Sequence, residues 1–255
     1  MPKRLREPGE FCWINVLTPG VEDAKAFFGA LLGWTFEPIP GGSGWFIRLG
    51  ESRFGGLFDL ARPGTPPRTP PGVGVMARVD DADVAVARAR ALGGDARPAL
   101  DVGQAGRMAE LTAPDGARFA VWQPLAAAGT DVDPFLPGAP CWFEVVTRDV
   151  DRVSAFYRDL FGWTAERSFT DASGYVEFHC RGEMVAGLLP APAEFDAPPH
   201  WGVYFTVKDV DATASRAVEL GGSVVLDPRD IPGVGRFAVL RSPGGVAFHV
   251  VSYSI

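Results

Sequence analysis

The chain repeats itself. Cys12-Trp13-Ile14-Asn15-Val16-Leu17-Thr18 opens a stretch ending Gly33-Trp34-Thr35-Phe36-Glu37, and 129 residues later Cys141-Trp142-Phe143-Glu144-Val145-Val146-Thr147 runs through to Gly162-Trp163-Thr164-Ala165-Glu166. The offset holds to the end of each half: Gly106-Arg107 and Gly235-Arg236 are again 129 apart, as are the turns Ala113-Pro114-Asp115-Gly116 and Ser242-Pro243-Gly244-Gly245. Solenoid repeats have periods of ~20–50 residues, so a period this long means a duplicated domain. The chain is therefore expected to fold as two homologous domains, 10–124 and 139–253.

Each half divides again. Val73 to Val79, Asp81-Ala82-Asp83 and Gly93-Gly94 share the grammar of the opening segment, and Trp201 to Val207, Asp209-Val210-Asp211 and Gly221-Gly222 are their partners. This gives four modules, near 10–61, 72–124, 139–190 and 199–253. In each, an apolar, β-branched run leads into a helical pattern. Val150, Val153, Phe156, Tyr157, Leu160 and Phe161 recur at the spacing of one helix face after Asp149, and Gly162 supplies the stop. Val21, Ala24, Phe27, Phe28, Leu31 and Leu32 repeat the pattern before Gly33. Three strand-like runs separated by Gly-containing turns follow. The unit is β-α-β-β-β.

The Pro- and Gly-rich stretches Arg62–Gly72 and Pro190–Pro199 join modules within a half, and Gln123–Pro140 joins the halves. Their composition is that of linkers, though long loops also cover cavity mouths. At 255 residues each half has enough chain to bury a core without disulfides or metals. The three cysteines are odd in number, and Cys12 and Cys141 hold equivalent places, so these two read as small core residues in a reducing compartment. No signal-like or membrane-spanning apolar run is present, and a cytoplasmic location is expected. Residues 1–126 hold 14 basic and 14 acidic side chains, so the second half carries the whole net charge of −7. Phosphate binding needs clustered Lys and Arg; nucleic-acid partners are excluded, and a small molecule is the expected partner. Gly41-Gly42-Ser43-Gly44 and Gly103-Gln104-Ala105-Gly106 lack the strand-to-helix setting of a phosphate loop.

Four such modules with Phe-Tyr-x-x-Leu-Phe-Gly-Trp after a helix resemble the vicinal oxygen chelate superfamily, which groups glyoxalase I, extradiol dioxygenases, fosfomycin-resistance proteins and bleomycin-binding proteins. The resemblance covers nearly the whole chain and is closest to two-domain actinobacterial glyoxalase-like proteins. It implies an α+β fold: four βαβββ modules paired into two tandem glyoxalase-like domains, each an incomplete eight-stranded barrel whose concave side holds a small ligand. Metal-binding members place a His, Gln or Glu on a module's first strand and a Glu on its last. The matching positions here are Trp13, Gly74, Trp142, Gly202, Ala120 and His249. Five of these six side chains cannot bind a metal, so no metal or other cofactor is expected, with a divalent ion retained as the alternative.

All three histidines, His179, His200 and His249, lie in the second half. Side chains alternate along a strand, and by the resemblance the face bearing Trp142 is concave. That face then carries Glu144, Tyr204, Thr206 and His249. His and a carboxylate in a partly apolar cavity can serve as base and orienting acid, which makes Glu144 and His249 the candidate catalytic pair; they can equally satisfy one another in a filled cup. Trp142, Tyr204, Thr206 and His179 are candidate ligand contacts. Alternation alone leaves open whether His179 and Glu177 face the cup or the helices. The first half offers Trp13, Asn15, Met76 and Trp122, together with Arg78 and Arg118, but no histidine. An amide cannot shuttle a proton at neutral pH, so this half is suited to binding or scaffolding. Trp34 and Trp163 read as packing residues.

Three readings follow. In the first, a metal-free glyoxalase/bleomycin-resistance-like protein binds a small, partly aromatic molecule in a cup, chiefly in the second half. In the second, a lyase- or isomerase-type enzyme uses Glu144 and His249, or runs metal-dependent glyoxalase or dioxygenase chemistry with Glu144, His179 and His249. In the third, the cups are filled and the protein serves interactions. A fused pair of domains is expected to be a monomer or a weak homodimer.

Overall fold

A computed structural model describes residues 5–63, 65, 68–168, 174–191 and 197–254. Parts of both inter-module stretches, at 64, 66–67 and 192–196, therefore lie outside the described residues.

The first half folds as β1 (Phe11–Thr18), α1 (Val21–Leu32), β2 (Thr35–Pro38), β3 (Trp45–Leu49) and β4 (Ser52–Asp59). Its second module runs β5 (Gly72–Arg78), α2 (Ala82–Ala91), β6 (Asp95–Ala96), β7 (Leu100–Val102), β8 (Gly106–Thr112) and β9 (Arg118–Pro124). These strands make one sheet in the order β2-β3-β4-β1-β5-β9-β8-β6, with β7 also paired to β8. The second half repeats the plan with β10 (Pro140–Thr147), α3 (Val150–Phe161), β11 (Thr164–Arg167), β12 (Val176–Cys180) and β13 (Glu183–Pro190). It closes with β14 (His200–Thr206), α4 (Val210–Glu219), β15 (Ser223–Ile231), β16 (Gly235–Arg241) and β17 (Ala247–Tyr253), in the sheet order β11-β12-β13-β10-β14-β17-β16-β15.

The fold class is the one expected: α+β, with βαβββ modules pairing two by two into curled half-barrel sheets. One departure is local. The strand that follows α2 is split into β6 and β7 around Pro98, which has no N–H to give a ladder. The helices stop where the glycines predict: Gly33 and Gly162 both take the left-handed conformation, at φ 70° and 71°.

The halves do not keep separate cores. A single buried cluster runs through both, and helices from one half pack beneath the sheet of the other. Phe27 and Phe28 of α1 meet Phe248 of β17 at ring-centroid distances of 6.2 and 5.3 Å. At the 129-residue offset, Phe156 and Tyr157 of α3 meet Phe119 of β9 at 6.2 and 5.3 Å. The indoles after the helices interlock in the same manner. Trp34 Nε1 donates to the carbonyl of Gly138 at 2.8 Å, and Trp163 Nε1 donates to that of Gly9 at 2.9 Å. Gly9 and Gly138 are equivalent, both at positive φ, and a Cβ at Gly138 would collide with the Leu32 carbonyl. The expected packing role of Trp34 and Trp163 is met, with a cross-half hydrogen bond added.

The stretch joining the halves is packed rather than free. Thr130 and Val132 are buried, the Thr130 N–H donates to the Cys12 carbonyl, and Trp122 Nε1 donates to Ala127.

Candidate functional site

The core-facing side of each sheet identifies the concave side by elimination. Val145, Phe178, Val203, Phe205, Phe248 and Val250 are buried against the helices. Their neighbours Glu144, Glu177, His179, Tyr204 and His249 consequently face the second cup. This settles His179: it and Glu177 point into the cup, His179 Nε2 lying 3.6 Å from Glu177 Oε2, with a bulge between Phe178 and His179.

Cross-strand register aligns Glu177, Gly187, Glu144 and Gly202 in one row over four strands. The adjacent row holds Trp142, Tyr204 and His249. Tyr204 stands between the two candidate catalytic groups. Its hydroxyl donates to Glu144 Oε1 at 2.9 Å, and its ring stacks on His249 with centroids 4.3 Å apart and planes at 30°. Glu144 is buried, 6% exposed. Burial first and the Glu144 charge second push the Tyr204 phenol well above its ordinary value. Tyr175 is raised for the same two reasons, and its hydroxyl accepts from Trp142 Nε1 at 3.1 Å.

Two glycines form the floor. A Cβ at Gly187 would strike the Tyr175 hydroxyl, and one at Gly202 would strike the His249 imidazole. These rings thus lie down on bare backbone. His249 Nδ1 is buried with no hydrogen-bond partner, and desolvation pushes its proton equilibrium down to about 3. The imidazole is therefore neutral near pH 7. Thr206 is committed elsewhere, since its hydroxyl donates to the Pro134 carbonyl at 2.6 Å. His200 is the first residue of β14, with Nδ1 2.9 Å from the Pro198 carbonyl.

In the first cup, the equivalent row is Phe46, Gly56, Asn15 and Gly74. Met76 and Trp122 are buried together with Cys12 and Ala120, and Trp13, Ala105 and Met108 pack on them. Cys12 is fully buried and its thiol is pushed up to about 12, as its reading as a core residue requires.

An open cavity of about 280 Å³ lies between the halves at the starts of β1 and β10. Its walls include Trp13, Phe135, Trp142, Phe143 and Tyr253, with Arg6, Glu10 and Glu183 as its charged members. Trp13 and Trp142, equivalent in the two halves, thus face the same cavity. Trp142 is a common wall, facing the cavity and bonded to Tyr175 of the cup. Tyr175 and the floor glycines carry no obvious signal in the sequence beyond parity: positions 175, 177 and 179 must share a face once any one of them is placed.

A divalent ion does not fit these residues. The first-strand positions hold Trp142 and Gly202, Glu144 is engaged by Tyr204, and the orphaned His249 nitrogen lies against the Gly202 floor. Among the described residues no three His, Cys, Asp or Glu side chains are grouped to hold a metal. No helix of the described residues is long and apolar enough to cross a membrane.

Comparison with known proteins agrees with this architecture. Residues 141–250 match the family model of the Glyoxalase/Bleomycin resistance protein/Dioxygenase superfamily. The chain is 35% identical over 257 residues to "Putative glyoxylase CFP32" of Mycobacterium tuberculosis, covering 98% of each. It is 34% identical over 262 residues to "Anthracycline biosynthesis protein DauV" of Streptomyces sp. strain C5, covering 96% of this chain and 93% of that one. The protein belongs to this superfamily. Among solved structures, the Mn(II)-bound glyoxalase from Novosphingobium aromaticivorans superposes with a TM-score of 0.66 at 17% identity, covering 96% of this chain and 82% of that one. The 2,3-dioxygenase LapB from Pseudomonas sp. KL28 gives 0.66 at 14% identity, covering 96% and 92%. At these identities the likeness is one of fold.

Proposed function

We propose that this protein binds a small, flat, partly aromatic molecule against Trp142 of the second half, without a metal. The observation that carries this reading is the aromatic cavity whose Trp142 wall hydrogen-bonds into the Tyr175, Glu144 and Tyr204 cup. Aromatic walls with a few fixed polar groups are what binding sites for planar organic molecules consist of. Its volume, just under the ~300 Å³ lower bound typical of ligand sites, suits two or three fused rings better than a larger molecule. A relative named for anthracycline biosynthesis, the making of aromatic polycycles, is in keeping with an aromatic ligand. Within this reading the protein is cytoplasmic and a monomer or weak homodimer, the duplication having brought the paired modules into one chain.

An acid–base enzyme using Glu144 and His249 has less support. Tyr204 separates the two groups, and an imidazole with its proton equilibrium near 3 is a weak base. The test is a fluorescence titration with 2-naphthol, a neutral two-ring phenol. Saturable binding that is lost in Trp142→Ala and unaffected by His249→Gln is the expected result. Turnover of a substrate panel abolished by His249→Gln would replace binding with catalysis.

A further inference from the structure

The duplication makes two seams between the halves, and they differ. At one, the turn 242–245 closes on the end of β1: a Cβ at Gly244 would collide with the Thr18 hydroxyl, and one at Gly245 would touch Pro71. At the repeat-related seam the turn 113–116 faces the end of β10, and a Cβ at Gly116 would meet nothing within 4 Å. A cavity of about 420 Å³ opens there between Asp115 of the first half and residues 146–149 of the second, with Ala191, Ala197 and Pro199 on its apolar side. That volume is in the range of small-molecule sites. Neither Glu144, Glu177, His179, Tyr204 and His249 of the cup nor any wall of the Trp142 cavity belongs to it.

The open seam is polar where the closed one is apolar. Asp115 stands in place of Gly244, Arg148 and Asp149 in place of Pro19 and Gly20, and Tyr157 of α3 in place of Phe28 of α1. One Asp115 oxygen accepts from the Ala117 N–H at 3.0 Å; the other, Oδ2, is buried and accepts nothing. A buried acceptor left unpaired carries a desolvation cost, which a donor entering the cavity offsets. The Asp115 charge reaches the core: burial first, and that charge with it, push the Tyr157 phenol well above its ordinary value, its hydroxyl already accepting from Trp201 Nε1 at 2.8 Å. Asp149 stands at the start of α3, where Asp81 and Asp209 cap α2 and α4, yet its carboxylate accepts no hydrogen bond from its helix. Arg148, the third charged member of the lining, is already engaged. Two carboxylates with acceptor capacity to spare thus share one cavity with an apolar wall.

We propose that this seam cavity binds a small aliphatic amine in its protonated form, the ammonium donating to Asp115 Oδ2 and the Asp149 carboxylate and the alkyl chain lying against Ala191, Ala197 and Pro199. An ammonium has three donors and no acceptor, the complement of carboxylate oxygens that lack donors, and hydrogen bonds between ionised partners are roughly twice as strong as neutral ones. A bare metal ion is a poorer match, since two carboxylates fall short of its usual ligand number and no third His, Cys, Asp or Glu joins them among the described residues. The proposal does not depend on the Trp142 reading, because the two cavities share no residue.

The experiment is 19F NMR of 4,4,4-trifluorobutylamine with the full chain, with 4,4,4-trifluorobutan-1-ol as the neutral control. Binding of the amine is expected to be stronger than that of the alcohol and to weaken with salt. Asp115→Asn, which keeps an oxygen for the Ala117 N–H, should weaken it about tenfold, the worth of one charge-assisted pair. Ala197→Phe, which fills the cavity from its apolar side, should abolish it and serves alone if Asp115→Asn does not fold. Trp142→Ala should leave it unchanged, so that failure of this site and failure of the 2-naphthol site are read separately. Equal binding of amine and alcohol, or amine binding indifferent to whichever of Asp115→Asn and Ala197→Phe folds, would overturn the proposal, as would no binding at millimolar ligand.

Discussion

Phe248→Ala should destabilise the half it does not belong to. The ring is 1% exposed and packs edge-on against Phe27 and Phe28 of α1 as well as Phe205 of its own sheet. Removing a buried phenylalanine costs about 3–5 kcal/mol, because the lost transfer energy is compounded by a cavity the neighbours only partly fill. Two of the three lost ring partners belong to the first half, so the cavity opens under α1. For a chain of this size one kcal/mol moves the melting temperature by about 2–4 °C, giving a drop on the order of 6–20 °C in a single transition. Hydrogen exchange read by mass spectrometry locates the damage. Peptides covering 21–32 should lose protection along with those covering 247–253. Phe119→Ala, the partner at the 129-residue offset, should mirror this by loosening 150–161. A melt that splits in two, with 21–32 as protected as in the wild type, would refute the shared core and make the halves independent units.

Other consequences are narrower. Gly202→Ala should cost about 1–3 kcal/mol by overpacking the His249 ring, and His249→Ala in the same chain should recover much of it, whereas Gly74→Ala should be tolerated; urea midpoints of the three variants decide this. His249 has a folded-state pKa near 3, below its ordinary 6.5, so its neutral form favours folding fully above pH 6.5 and that contribution is lost as pH falls toward 3. The melting temperature should accordingly drop less in His249→Gln than in the wild type between pH 6.5 and 4. Tyr204→Phe should destabilise by about 1.5–3 kcal/mol, the cost of taking a donor from a buried carboxylate, measured by denaturant unfolding. Cys12, its thiol pushed up to about 12, should resist iodoacetamide at pH 8 in the folded protein and react once unfolded.

Most of the fold was legible because its signals are local or periodic. The duplication, the helix faces ending at Gly33 and Gly162, and strand parity are properties of neighbouring residues, and together they placed Glu144, Tyr204 and His249 on one concave face. What remained hidden is set by distance and volume. Parity puts Glu144 and His249 on the same side but says nothing of Tyr204 standing between them, since rotamers are chosen by packing. Parity puts Thr206 on the concave face, but that its hydroxyl donates to Pro134 of the joining stretch depends on a path no pattern reveals. Trp34 and Trp163 read as packing, and their glycine partners 104 and 154 residues away in sequence required the three-dimensional arrangement. Gly187 and Gly202 look like ordinary strand glycines until rings are found lying on them.

The proposed function is metal-free recognition of a flat aromatic molecule at the Trp142 wall. Its most direct test is a calorimetric titration of 2-naphthol into chelator-stripped protein, repeated after adding Mn(II). One saturable site with the same affinity in both, absent in Trp142→Ala, is the expected result. No saturable heat in the stripped protein, or binding that appears only with the metal, would contradict it.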